Sequence, residues 1–319
     1  MTQGRLLHMG GVVVDLVLEI ERLPEAGDEV VSKRTLLRTG GGMNILSAAQ
    51  RCGLASAYGG RHGTGMFGDA ARRSLTAAGI SILQPATERG DTGTCIVLVT
   101  PDGERTFISH VGVEGSLDPE TLDTIVPQPG DWIYVSGYTL GYPDSGPALA
   151  RWLARLPGEP SIIFDPGPLG TEMPSARLDQ VFDRCTWLSC NGREAALLTG
   201  MTDPVLAAST LATRLRRAEG GAVVRTGRKG CVLATADGGL SDVPGFVVDA
   251  IDTNGAGDTH VGAFIAALAR GARPFDAAVF ANAAAALAVT RRGPDRAPTR
   301  EEVQHLVETR PSHSRSFHG

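Results

Sequence analysis

Short apolar runs alternate with amphipathic helical patterns along most of the chain, and this alternation restricts the fold more than any other feature. Residues 55–59, 132–135, 161–164 and 222–224 read as buried strands. Residues 70–78, 148–156, 195–198 and 205–217 repeat apolar positions at helical spacing. Such alternation predicts an α/β fold with a mostly parallel central sheet covered by helices on both faces. With 319 residues, 42% of them hydrophobic, the chain can bury a full core in one large domain with a small excursion.

The excursion lies where the rhythm breaks. Residues 94–99 and 105–108 flank Pro101-Asp102-Gly103-Glu104, a hairpin signature, and residues 28–37 read as a further strand between turn residues. These pieces predict a small antiparallel sheet covering the main one. Nearer the start, residues 6–9 run through Gly10-Gly11 into a strand-like stretch over residues 12–18. Asp15 stands there alone among apolar neighbours, so either a structural partner or a ligand hydroxyl must satisfy it. Thr39-Gly40-Gly41-Gly42-Met43-Asn44 opens a helical pattern over residues 45–52. Asn44 suits a helix cap, or a hydrogen bond to a ligand above the glycines.

Several functional classes fall away on inspection. A net charge of −5 argues against a dedicated nucleic-acid surface, and Arg214, Arg216 and Arg217 read as the wet face of a helix. No run of about 18 apolar residues marks a membrane span. The first five residues lack a signal-peptide layout, which predicts a cytoplasmic protein. The five cysteines are scattered without Cys-x-x-Cys spacing and indicate neither a disulfide framework nor a zinc site. The only lysines, Lys33 and Lys229, exclude a P-loop; Gly-x-Ser-x-Gly and His-Glu-x-x-His are absent; and Gly10-Gly11 followed by three valines is no dinucleotide fingerprint.

The chemistry concentrates late in the chain, at Asp252-Thr253-Asn254-Gly255-Ala256-Gly257-Asp258-Thr259-His260, followed by an apolar run over residues 261–268. The glycines let the backbone bend so that amide N–H groups converge at the start of a buried helix, a pocket for anionic oxygens. A carboxylate beside such a pocket makes sense if Asp258 takes a proton from a hydroxyl attacking phosphorus. The plainer reading is a tight turn. Likewise Asn191-Gly192-Arg193-Glu194 reads as a helix cap with a favourable acid, or as a site where Glu194 holds Mg²⁺ through water. Arg225-Thr226-Gly227-Arg228-Lys229-Gly230 reads as a turn touching nucleotide phosphates, or as a hairpin corner.

Taken in order, Asp15, Gly40-Gly41-Gly42 with Asn44, the stretch from Gly60-Arg61-His62-Gly63 to Phe67-Gly68, Gly103-Glu104-Arg105, Asn191 to Glu194, and Asp252 to Asp258 resemble the motifs of ribokinase-like (PfkB) carbohydrate kinases. The resemblance spans essentially the whole chain and is strongest from Asp252 to Thr259 and over residues 280–291. It implies a three-layer fold with a mostly parallel central sheet and a small β-lid, drawn from about residues 12–38 and 93–112. The domain would cover residues 1–310, with a disordered polar tail over 311–319. It implies Asp258 as general base, with Gly255, Ala256 and Gly257 as the anion hole. Asp15, Gly41, Gly42, Asn44 and Tyr138 would bind substrate, and Asn191, Thr226, Gly227, Gly230 and Asn282 would bind nucleotide. ATP is the implied co-substrate, with Mg²⁺ near Glu194. A monovalent cation, K⁺, would be held by Asp252, Asn254 and carbonyls near Ala288, Arg291 and Gly293. The lid often pairs two subunits, so a homodimer is expected, without nucleic-acid or membrane partners.

Departures from the pattern bear on the substrate. Val13 stands where ribokinases have Asn, Gly41 where they have Lys, Tyr138 near a lost sugar-binding acid, and Arg225 where Thr is usual. Each lost hydrogen bond is worth about 0.5 to 3 kcal/mol. The pattern therefore predicts a ligand other than free ribose: a nucleoside, with another sugar, a sugar acid or a phosphosugar next, Arg61 or Arg105 compensating for the lost lysine. The rival from a different class is a non-catalytic sugar or nucleotide sensor, which has no need of Asp258.

Overall fold

Successive residues of a buried strand face opposite sides, and here they sort into two cores. Leu7, Ile133, Ile162, Leu188 and Val224 pack with the helices Ser145–Arg155, Ser175–Phe182 and Pro204–Arg214. Leu6, Tyr134, Ile163, Trp187 and Val223 pack on the other face with Gly42–Arg51, Ala256–Ala269, Pro274–Val289 and Arg300–Glu308. The computed structural model describes residues 4–291 and 296–309. Gly293 and the expected tail lie outside them.

The central sheet runs, edge to edge, Leu240–Pro244, Gly230–Thr235, Gly221–Arg225, Trp187–Asn191, Ser161–Asp165, Trp132–Ser136, Leu6–His8, Ser56–Tyr58 and Ser81–Ile82. Pairing is parallel from Gly221–Arg225 to Ser81–Ile82 and antiparallel at the other edge. The second sheet has the order Arg34–Gly41, Val12–Glu19, Thr94–Val99, Arg105–His110. This is the three-layer arrangement, with a small second sheet as a lid, that the resemblance implies.

Two local expectations need correction, and one gains a reason. The strand-like stretch interrupted by glycine is two strands, because the chain leaves the central sheet after His8 and enters the lid at Val12. The His8 ring fills the space a side chain would need: a Cβ on Gly10 would lie 2.7 Å from its Cε1, and Gly42 abuts the same ring. The strand expected over residues 28–37 lies at Arg34–Gly41, so the glycine run ends a strand and the helix begins at Gly42. The lid is mixed, because Val12–Glu19 pairs in parallel with Thr94–Val99.

Register puts different chemistry on the lid's two faces. One row across the four strands is Arg38, Asp15, Cys95 and Ser109; the neighbouring row, on the opposite face, is Leu37, Leu16, Ile96 and Ile108.

Candidate active site

Residues at the carboxyl ends of the parallel strands converge, as open α/β sheets dictate for a ligand crevice. Asp165 ends Ser161–Asp165, Asn191 ends Trp187–Asn191, Arg225 ends Gly221–Arg225, and Tyr138 follows Trp132–Ser136 on a short helix, Gly137–Gly141. The bend from Asp252 to Asp258 enters the same crevice and runs into Ala256–Ala269, a helix apolar on all sides and buried from Thr259 to Ala267.

Gly255 adopts φ 72°, a left-handed conformation that glycine takes without strain. The N–H of Ala256 is turned back onto Thr253 O at 3.3 Å, so the free first-turn donors are those of Gly257 and Asp258. Of Gly255, Ala256 and Gly257, expected to form an anion hole, Ala256 thus has its N–H engaged. Under Gly257 lies a guanidinium that sequence reasoning noted only as a departure: a Cβ there would sit 3.5 Å from Arg225 Nε. Arg225 Nη1 donates to Asp165 Oδ2 at 3.0 Å and to Ser189 Oγ at 2.6 Å, and its Nη2 is 3.8 Å from Glu194 Oε2.

Asp258 is partly exposed, yet its carboxyl lies deep enough for desolvation to raise its pKa to about 6; Asn44 opposes that rise, and Asp165 and Asp15 add to it. Asn44 is no helix cap. It sits inside the first turn of Gly42–Arg51 and its Nδ2 donates to Asp258 Oδ2 at 2.8 Å. The two helices meet closely because Gly262 faces Ile45 O, where a Cβ would stand at 2.5 Å.

Asp15 has a structural partner in Arg38, whose Nε lies 3.6 Å from Asp15 Oδ2. Burial raises the Asp15 pKa, and Arg38 and then Arg296 oppose the rise. Gly40 and Gly41 follow on the same strand, Gly40 directly against the Asp15 carboxylate. The Tyr138 phenol is raised by burial and by Asp258, Glu194 and Asp165, which places its ring at the same crevice. Arg61 does not reach it: its guanidinium is held by Ser116 O, Asp118 and Thr121.

Asn191 and Glu194 form a reciprocal cap, Asn191 Oδ1 accepting from Glu194 N at 2.9 Å and Glu194 Oε2 from Asn191 N at 2.8 Å. Burial raises the Glu194 pKa, with Asp165 adding to it. A carboxylate so placed, with Oε2 engaged and Oε1 in neither cap hydrogen bond, keeps an oxygen that fits Mg²⁺, directly or through water. The Thr226 to Gly230 turn is a hairpin corner, with Thr226 N donating to Gly230 O at 2.8 Å and positive φ at Gly227 and Gly230. It nonetheless stands next to Arg225 at the crevice. Asn282 is buried and gives its amide to Val243 O at 2.9 Å, so it fastens the end of an edge strand instead of facing open space.

Of the residues expected around K⁺, Gly293 lies outside the described residues and Asp252 faces arginines. Asp252 is ion-paired to Arg105, to Arg296 at 2.7 Å and more distantly to Arg38 at 4.0 Å. Another cation there would stand beside a fixed guanidinium; like charges about 4 Å apart repel by about 4 kcal/mol at an effective dielectric of about 20. Arg38 and Arg296 were missed from sequence, and only their spacing from the glycine run and the bend could have drawn notice. A cavity of about 490 Å³ opens beside the bend, lined in part by Thr39, Asn44, Asn254, Gly255, Thr259 and Arg296. Among the described residues, no single helix is long and apolar enough to cross a membrane.

The uncharacterized sugar kinase YegV of Escherichia coli (strain K12) is 32% identical over 304 residues, covering 95% of this chain and 94% of that protein. An ATP-dependent ribose-1-phosphate kinase of Halopiger xanaduensis is 32% identical over 310 residues, covering 96% and 99%. In fold, the chain is similar to Arabidopsis thaliana ribokinase complexed with ribose and ATP (TM-score 0.78, 22% identity, 97% and 100% covered). It is also similar to adenosine kinase from Sinorhizobium meliloti (TM-score 0.81, 19% identity, 97% and 100% covered). Residues 4–300 match the model of the pfkB family of carbohydrate kinases, and with that span and those relatives the chain belongs to this family.

Proposed function

We propose that this carbohydrate kinase transfers the terminal phosphoryl group of ATP to a hydroxymethyl group, with Asp258 as general base. One observation carries the reading: a carboxylate with its pKa raised to about 6, hydrogen-bonded to Asn44, on the first turn of the helix that follows the Gly255 bend. A base of that pKa is largely ionised near neutrality and still accepts a proton readily. The first-turn N–H groups of Gly257 and Asp258 face developing charge on the phosphoryl oxygens, and Arg225 adds a fixed positive charge beneath them. Mg²⁺, held through water at Glu194, would neutralise phosphate charge when bound. Thr226, Gly227 and Gly230 border the nucleotide, and Asn191 orients Glu194.

Asp15, Gly41, Gly42, Asn44 and Tyr138 surround the acceptor. Tyr138, 46% exposed, offers a flat face to a sugar or nucleoside. A phosphosugar or sugar acid is the second reading, favoured by Arg38 and Arg105, two lid guanidiniums that reach the crevice, and by the ribose-1-phosphate kinase among the relatives. The outer lid row, with Leu37 54% and Ile108 58% exposed, supports a homodimer formed lid to lid. Free thiols at all five cysteines suit a reducing cytoplasm.

ADP release measured over pentoses, hexoses, sugar acids, sugar phosphates and nucleosides tests the reading. Turnover with at least one acceptor, lost in Asp258→Asn, supports it. Acceptor binding without turnover across the whole panel would establish the sensor instead.

A further inference from the structure

Asp252 opens the phosphate bend, and a carboxylate there with a side chain only 17% exposed requires a positive partner. By the resemblance set out above a monovalent ion supplies that charge in ribokinases, whereas here arginines stand at the carboxylate. Asp252 Oδ1 accepts the backbone N–H of Asn254 at 3.0 Å and the Arg105 guanidinium. On Oδ2, at 2.7 Å, stands Arg296 Nη1, from a side chain only 8% exposed.

Arg296 differs from the other two arginines in where it comes from. Arg38 and Arg105 belong to the lid strands, whereas Arg296 lies between the core helices Pro274–Val289 and Arg300–Glu308. A Cβ on Gly255 would lie 3.6 Å from Arg296 Nη2, beside one 3.2 Å from Asn44 Nδ2, so the guanidinium packs against the turn that leads to Asp258. Its charge persists at every pH the protein tolerates.

We propose that the Arg296 guanidinium takes the place of the monovalent cation, fixing Asp252 and the Gly255 bend from within the chain, and that this kinase works without K⁺. Arg296 is a positioning residue; it acts through Asp252. The activity arm of the test rests on the kinase reading, whereas the melting arm does not.

The experiment compares the purified protein in KCl, NaCl and choline chloride at equal ionic strength, reading ADP release and Tm, for wild type, Arg296→Ser and Arg296→Lys. Wild type is expected to show the same rate and Tm in all three salts. Arg296→Ser is expected to lose about tenfold or more in rate in choline chloride, with a lowered Tm, and to recover part of both in KCl, because removing one partner leaves an uncompensated charge that an ion can then fill. Arg296→Lys keeps a charge on the element and is expected to lie between the two, without a K⁺ requirement. Activation of wild type by K⁺, or a rise in its Tm specific to KCl, overturns the proposal. So does an Arg296→Ser variant as active and stable as wild type in choline chloride. If Arg296→Ser fails to fold in every salt, a K⁺ requirement in Arg296→Lys still overturns it, and its absence there, with wild type indifferent to salt, supports it. Should no acceptor support turnover, the kinase reading fails separately and the Tm comparison still decides this one.

Discussion

Asn44 Nδ2 and Asp258 Oδ2 meet at 2.8 Å although 214 residues separate them in sequence. Asn44 favours the ionised carboxylate, while desolvation pushes the other way and prevails, leaving a pKa of about 6. In the free enzyme kcat/KM should therefore rise as pH increases through about 6 and level off above it. Asn44→Leu removes the interaction that lowers this pKa, so the acid limb should move to higher pH. A pH–rate profile for both proteins checks this; a limb that stays in place would show that Asn44 does not act on the base.

Asp258 should also weigh on stability, with a sign opposite to that of a salt-bridged acid. Its folded pKa is raised above its unfolded value near 3.8, so the native state holds the proton longer and stability falls as pH rises from about 4 to about 6. The loss is then complete, on the order of 1 to 3 kcal/mol. Asp258→Asn should melt above wild type at pH 8, with the advantage shrinking as pH approaches 4, while its kcat drops by about 10² to 10⁴. Thermal melts across pH measure the first effect and ADP release the second.

The contact depends on how closely two helices cross. Asn44 and Ala48 lie one turn apart on Gly42–Arg51, as do Asp258 and Gly262 on Ala256–Ala269, and a Cβ on Gly262 would stand 2.5 Å from Ile45 O and 2.8 Å from Ala48 Cβ. Gly262→Ala should push the helices apart, lowering stability by about 1 to 3 kcal/mol. It should also reduce kcat without changing any polar group. Wild-type kcat in a destabilised Gly262→Ala would separate the crossing from catalysis.

What could be read from the sequence was local. The bend at Gly255 to Asp258 announces itself because glycine spacing, the acid and the apolar run are contiguous, and the strand–helix rhythm gives the layers for the same reason. Asn44 looked like a cap because its partner is supplied by another helix. Gly10-Gly11 looked like an interrupted strand because the crowding that breaks it comes from the His8 ring and a third glycine, Gly42. Arg296 beside Asp252 went unread because a resemblance transfers ligand positions and not the charges that surround them.

On the lid, the row Leu37, Leu16, Ile96 and Ile108 should be covered in solution. Ile108→Glu places a charge at the edge-strand end of that apolar row and should convert a dimer to monomers, as read by light scattering after size exclusion. If the crevice needs no help from the second subunit, kcat should change less than KM, since the Asp258 cluster lies on the core. A wild type that is monomeric at all concentrations would remove the lid from assembly altogether.

Arg225 allows charge balance and phosphate chemistry to be separated. Its pKa is raised by Asp165 first among its charged neighbours, against the opposing effect of burial. Arg225→Met should leave Asp165 uncompensated and cost about 3 to 5 kcal/mol. Adding Asp165→Asn removes the stranded charge, so the double variant should recover much of that stability in urea unfolding. Its kcat should remain low, because nothing then supplies positive charge beneath Gly257, where phosphoryl oxygens gather negative charge in the transition state. If rate returned together with stability, Arg225 would be a counter-ion for Asp165 and the electrostatic support of the bend would have to come from the helix N-terminus alone.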